Sequence, residues 1–241
     1  MGIRNSLARL IILSLLTLLL TSAILLCVFP RYASAVASDG VHILQSDTRG
    51  IILELEVPAY TINSIKVDEQ TCERVSITGY GSSASPGEPE LPQLALFLGV
   101  PPDAEVSLVV LGTDSTVAEG FNVCPVPQRS IESFDPGRAF LDEGLDFKVK
   151  FVKNQVIYTA NAFFPSVVAE IGDSGYLRDQ RYVQVLVHPV QHNPITGELK
   201  HYHHIKLQVG FSYPQGLLAL TLNRAVSPAF ETVLQNSILN Y

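Results

Sequence analysis

The sequence predicts an all-β fold, an antiparallel β-sandwich of jelly-roll-like type with one short C-terminal helix, preceded by a hydrophobic N-terminal signal helix. Three observations carry this. Short apolar–polar alternations recur from residue 41 onward, 16 Gly and 15 Pro punctuate them, and no amphipathic helical pattern intervenes. A chain that is 47% hydrophobic and 16% charged is not disordered, and its net charge of −7 argues against a nucleic-acid groove.

The N-terminus is a targeting segment. Arg4 and Arg9 precede an uncharged run from Leu10 to Val28, Pro30 breaks the run, and the small-x-small sites Ala33-Ser34-Ala35 and Ala35-Val36-Ala37 follow. A cleaved signal peptide over 1–37 is the first reading. An uncleaved anchor is the second, because the run reaches the ~18 residues that span a bilayer. Either places the rest of the chain outside the cytoplasm, secreted or anchored at the surface. Removal of 1–37 takes away Arg4, Arg9 and Arg31, leaving 13 basic against 23 acidic residues and a net charge of −10.

The body divides into a sandwich over 38–225 and a helix with linker over 226–241. In its first strand Ile51, Leu53, Leu55 and Val57 share one face and Glu54 and Glu56 the other. Tyr60 to Val67, Arg74 to Thr78 and Leu94 to Val100 follow, then an alternation through Val106, Leu108 and Val110. Phe147 to Val152, Val156 to Thr159, Tyr182 to Val187 and Leu199 to Tyr213 complete the set. Between the last two, Gln191 to Glu198 contains Asn-Pro and Thr-Gly steps suited to a turn joining antiparallel strands. Near the end Ser227 caps a helix, Pro228 sits at its first position, and Phe230, Val233, Leu234 and Ile238 form its apolar face.

Two stretches resist a strand reading. Gly79 to Pro92 is rich in Gly, Pro, Ser and Ala and reads as an extended or turning connection. Cys124 to Gly144 carries Pro125, Pro127, Pro136, Gly137 and Gly144 over a span longer than the ~15 residues of ordinary loops, which marks it as a contact element.

An oxidising compartment permits Cys72 and Cys124 to pair, closing 52 residues, a constraint worth about 4 kcal/mol. Whether they meet depends on geometry that spacing does not supply. His201-Tyr202-His203-His204 invites a metal reading, with His188 or His192 opposite, but no Cys or carboxylate is placed to complete a tetrahedral set. Sheet imidazoles are therefore expected, with no metal or other cofactor. Clustered His would charge near pH 6, enough to loosen a complex. Glu54, Glu56, Glu88 and Glu90 read as solvent-facing. No Gly-x-Ser-x-Gly elbow exists and no catalytic residue is assigned.

Several blocks together are similar to a known family. Phe163-Phe164-Pro165, Leu177-Arg178-Asp179-Gln180-Arg181 and Pro189-Val190-Gln191-His192-Asn193-Pro194, with a β-run closing at Phe211, resemble the N-terminal propeptide of gingipain-type cysteine peptidases, peptidase family C25. Gly87-Glu88-Pro89-Glu90-Leu91-Pro92 and Ile238-Leu239-Asn240-Tyr241 resemble further segments of it. The resemblance spans about 40 to 241 and implies a non-catalytic β-sandwich prodomain without its catalytic domain. It would be exported with its peptidase, assist that peptidase's folding, and occlude its cleft until proteolysis removes it. The partner it implies is the cognate catalytic domain, in cis or trans, with no nucleic acid and no membrane contact beyond an uncleaved N-terminal segment. Phe164, Pro165, Arg178, Asp179, Asn193 and Pro194 are then motif residues with structural roles, Arg178-Asp179 as a turn-fixing ion pair or carbonyl clamp. The family's inhibitory loop falls on Pro125 to Pro136, where an ungapped register puts Glu132 in place of the basic pocket residue, with Arg129 and Arg138 nearby. Either a register shift makes Arg129 the pocket residue or the cognate peptidase is not Arg-directed. The bland reading of both arginines is solvated loop charge. A second reading of the chain is a stand-alone exported sandwich used for adhesion or ligand binding.

Overall fold

The computed structural model describes residues 40–67, 70–83, 85–134, 145–214 and 228–241. The chain divides into two compact units, Met1–Val36 and Ala37–Tyr241, and every described residue belongs to the second. The targeting segment and the capping Ser227 lie outside the described residues.

Strand alternation builds two antiparallel sheets. In the first, β13 (Glu198–Ser212) is the spine. One flank carries β12 (Val190–Asn193) beside residues 198–201 and then β2 (Gly50–Glu56) beside 204–210, with β1 (Val41–Asp47) outside β2. The other flank carries β7 (Glu105–Ala118) along nearly its whole length. The second sheet runs β10 (Ala169–Leu177), β11 (Gln180–Val187), β6 (Pro92–Gly99) and β5 (Gly81–Ser82). Two hairpins stand apart as their own two-stranded sheets: β3 (Thr61–Val67) with β4 (Gln70–Ser76), and β8 (Gln128–Phe134) with β9 (Leu145–Lys150).

The period of two explains the core. Ile51, Leu53 and Leu55 of β2 and Ile205, Leu207 and Val209 of β13 are fully buried, and they share one hydrophobic cluster with Leu94, Leu96 and Leu98 of β6 and Val183, Val185 and Val187 of β11. Each buried aliphatic chain contributes roughly 1.5–3 kcal/mol of transfer free energy, so the facing rows of the two sheets hold the layers together.

The C-terminal helix forms as α2 (Pro228–Ser237), burying Leu234 and, just past its end, Ile238, while Val233 stays exposed. Beyond it the chain lies on the edge of β6 that the short β5 leaves open. Leu239 N–H donates to the Phe97 carbonyl at 2.9 Å, and the Asn240 amide pairs with Gly99, accepting from its N–H at 2.7 Å and donating to its carbonyl at 3.0 Å.

Three expectations are corrected. Val156 to Thr159 is no strand: α1 (Gln155–Tyr158) forms there because Asn154 caps it, its side chain accepting from Val156 N–H, and this outweighs the β-preference of Val156 and Ile157. The Cys124–Gly144 stretch contains β8, stabilised by a cross-strand ladder with β9 that local composition does not reveal. The Gln191–Glu198 turn joins β12 to β13 rather than β11 to β13, since β11 is spent on the other sheet with β6 and β10. No helix among the described residues is long and apolar enough to cross a membrane.

Candidate functional site

The β8–β9 hairpin forms an arm on the body, and how it is rooted gives the site its character. Its ladder runs from Gln128↔Lys150 and Arg129↔Val149 outward to Phe134↔Leu145, with a bulge between Ile131 and Ser133. An isolated two-stranded hairpin is marginal in water, so its ends must be fixed elsewhere.

The entering leg is fixed first by β4. Val123 bridges Glu73 in parallel, Glu73 N–H donates to the Asn122 carbonyl and Cys124 N–H to the Glu73 carbonyl. Asn122 N–H also donates to Glu73 Oε2 at 2.6 Å, and Asn122 Nδ2 to the Thr71 carbonyl at 2.8 Å. Cys124 is joined by a disulfide to Cys72 of β4, and both are buried. Next the leg pairs antiparallel with 87–90: Glu90 N–H donates to Cys124, Val126 N–H to Glu88, and Gly87 N–H to Val126. Arg74 Nε reaches Glu90 Oε2 at 3.0 Å across this junction. Cys124, Pro125 and Val126 are buried as a result.

The leaving leg returns to the same point. Asn154 N–H donates to the Gly87 carbonyl at 2.8 Å, so one residue stitches both legs together. Only glycine serves here, because φ is +88° and a Cβ would lie 2.9 Å from the Val152 carbonyl. Tyr158 Oη donates to the Val123 carbonyl at 3.1 Å, and burial pushes its phenol well above the ordinary range. Lys153 spans the legs, reaching Asn122 Oδ1 at 3.4 Å and lying 4.8 Å from the Tyr158 ring centre.

On this frame Arg129 is exposed one rung from the root. Glu132 falls at the bulge, and Arg138 lies outside the described residues. The other motif blocks meet each other. Phe164 and His192 exchange both backbone hydrogen bonds, the Phe164–Pro165 bond is cis, and Gln191 Nε2 donates to the Pro165 carbonyl while its Oε1 accepts from Tyr202 Oη. Asn193 closes the turn before Pro194: its Oδ1 accepts from Ile195 and Thr196, and its Nδ2 donates to Asn161.

Arg178 and Arg181 separate. Arg178 takes φ +60° in the β10–β11 turn, 4.0 Å from Asp179, with its guanidinium 5.3 Å from the Phe230 ring centre. The carbonyl clamp is Arg181, whose Nη1 reaches the carbonyls of Pro101, Pro102 and Ala104. The motif itself carries no sign of this, because the acceptors lie in a distant part of the chain.

The histidines do not gather for a metal, and no group of three or more ligating side chains occurs among the described residues. His201 is buried against the Pro58 carbonyl and the Tyr60 ring, its centroid 4.5 Å from that of His203; burial, then His203, lowers its pKa. Glu54 is half-buried and accepts from Lys206 Nζ at 2.7 Å, which holds its carboxyl below the ordinary range.

The Propeptide_C25 family model matches residues 33–241. Gingipain R1 of Porphyromonas gingivalis is 27% identical over 155 residues, 64% of this chain but 14% of that protein. Lys-gingipain of Porphyromonas gingivalis is 23% identical over 172 residues, 71% of this chain and 10% of that protein. The chain thus spans a small part of these relatives' length. In fold it is similar to a chain from the complex of Porphyromonas gingivalis RgpB pro- and mature domains, with TM-score 0.64, 20% identity, and coverage of 83% of this chain and 97% of that one. A chain from the structure on zymogenic latency of gingipain K from Porphyromonas gingivalis matches at TM-score 0.58 and 20% identity, covering 71% and 92%. A family match over nearly the whole body, on a two-sheet fold shared with those structures, means that the chain belongs to the C25 propeptide family, the non-catalytic propeptide part of gingipain-type cysteine peptidases.

Proposed function

We propose that this propeptide, exported from the cytoplasm, serves as folding assistant and cleft-occluding inhibitor of a gingipain-type catalytic domain, in cis or in trans, with the β8–β9 arm as the inhibitory element. The observation that supports the reading is the arm itself: a hairpin whose two legs are stitched at Gly87 and whose entering leg is joined to β4 by the Cys72–Cys124 disulfide. A root fixed before binding reduces the ordering entropy lost on docking, which favours tight association with a cleft that takes extended chain. Arg129, Glu132 and Arg138 are the arm residues assigned to contact that cleft.

The test is inhibition of a gingipain-type peptidase by the purified chain. Arg129→Ala or Glu132→Ala is expected to weaken it more than tenfold, about 1.4 kcal/mol. Unchanged inhibition in both variants removes those two residues from the interface, and no inhibition by the wild-type chain removes the inhibitory reading altogether.

A further inference from the structure

Phe121, immediately before the arm root, packs its ring edge-on against Tyr60 and is held through its backbone at both ends. Its N–H donates to the Gly197 carbonyl at 2.9 Å, and its own carbonyl lies 3.2 Å from His192 Nε2. His192 is 1% exposed, and its Nδ1 is buried with no hydrogen-bond partner among the described residues. A carbonyl acceptor at Nε2 requires the ring proton there, so the neutral ring presents a bare lone pair at Nδ1. Protonating Nδ1 makes a buried cation whose new N–H meets no acceptor among the described residues, a state the folded root opposes.

The surrounding charges do not rescue that cation. Glu73 of β4 attracts the proton, but its carboxylate already accepts from Asn122 N–H; Lys153 on the leaving leg repels it. On β13, Glu198 and Lys200 flank His192's partner Leu199 and are engaged elsewhere. Glu198 accepts from Thr196, and Lys200 lies over the Phe163 and Tyr202 rings. Tyr158 stays neutral. Desolvation is the leading influence on the ring and lowers its pKa, outweighing the Phe121 carbonyl, which by itself favours the charged ring. The charged ring gains solvation only by leaving its pocket, and because the backbone of His192 exchanges both hydrogen bonds with Phe164 and lies in register with Leu199, the Phe121 side is the one that opens.

We propose that His192 is a proton-operated latch on the arm root: in mildly acid solution its Nδ1 takes a proton from water, the ring parts from Phe121, and the Asn122–Val126 segment loosens. Weaker inhibition in acid is the consequence if the arm holds a peptidase, a step that rests on the function proposed above.

Amide hydrogen exchange on the purified chain tests the latch without any peptidase. Between pH 7.5 and 5.0, after correction for intrinsic exchange, the amides of Gly87, Cys124 and Val126 should exchange at least tenfold faster while those of Leu53 and Leu207 change little. His192→Gln keeps an amide donor near Phe121 and cannot charge, so its root should not respond. Equal acceleration in that variant, acceleration spread over the core amides, or no acceleration in the wild-type chain would each overturn the proposal. Should His192→Gln fail to fold, NMR titration of the wild-type ring replaces it: the His192 ring and the Cys124 amide must share one midpoint, and separate midpoints overturn the latch. Failure of inhibition at pH 7.5, by contrast, concerns only the proposed function.

Discussion

The N–H of Gly87 donates to the carbonyl of Val126 at 2.9 Å, tying the connection before β6 to the entering leg of an arm that comes much later in the chain. Its carbonyl accepts from Asn154 on the leaving leg, so the backbone of one glycine closes the arm at its base.

Gly87→Ala should therefore destabilise the protein by about 2–3 kcal/mol, combining a left-handed φ with the clash against the Val152 carbonyl. Gly79→Ala is the comparison: its φ is +84° but a Cβ there meets nothing within 4 Å, so only the conformational cost of about 1 kcal/mol remains. Urea denaturation of both variants checks the ordering, and equal losses would remove the close-approach argument.

Reducing the disulfide, or replacing Cys72 and Cys124 together by Ala, should cost about 4 kcal/mol by loop entropy for a separation of 52 residues. The denaturant midpoint should fall and the slope should rise, because the uncrosslinked unfolded chain is less compact and exposes more surface. A loss under about 1 kcal/mol would mean that β4 and the arm root hold together without the crosslink.

Arg181→Ala should cost about 1–3 kcal/mol, since it strips a charged donor from three carbonyls held by one Nη1. Arg178→Ala, removing a solvent-screened pair and a ring contact, should cost under about 1 kcal/mol. Thermal unfolding of the two variants distinguishes them.

Stability should fall as pH drops below about 6.5. His192 and His201 both have folded pKa values lowered from 6.5, chiefly by burial, so the unfolded chain binds more protons in that window. Their contribution is complete above the unfolded value and is lost as pH falls through 6.5 toward the folded values. His201→Gln should flatten part of the slope of unfolding free energy between pH 7 and 5; an unchanged slope would exclude His201 as a contributor.

The site is only half legible in the sequence. The Phe-Phe-Pro and Pro-Val-Gln-His-Asn-Pro blocks stand out as motifs, and the structure shows them exchanging hydrogen bonds between Phe164 and His192. Gly87 is visible as a residue of a turning connection, with no local sign that it faces 126 and 154. His192 is one histidine among several along the chain, whereas its burial against Phe121 depends on three distant segments packing at one point.

In β2 and β13 strand identity is settled locally, because a period of two places Leu53, Leu55, Leu207 and Val209 on one side of a pleated chain whatever the partner, whereas β8 and α1 take their form from contacts that local alternation does not show. Partner choice is not settled locally: β11 joins β6, β8 finds β9, and Cys72 meets Cys124 through contacts between residues far apart in the chain. Such contacts form only when the loop entropy of bringing distant segments together is offset by burial across both sheets, an accounting that belongs to the packed molecule and leaves no mark on any short stretch of sequence.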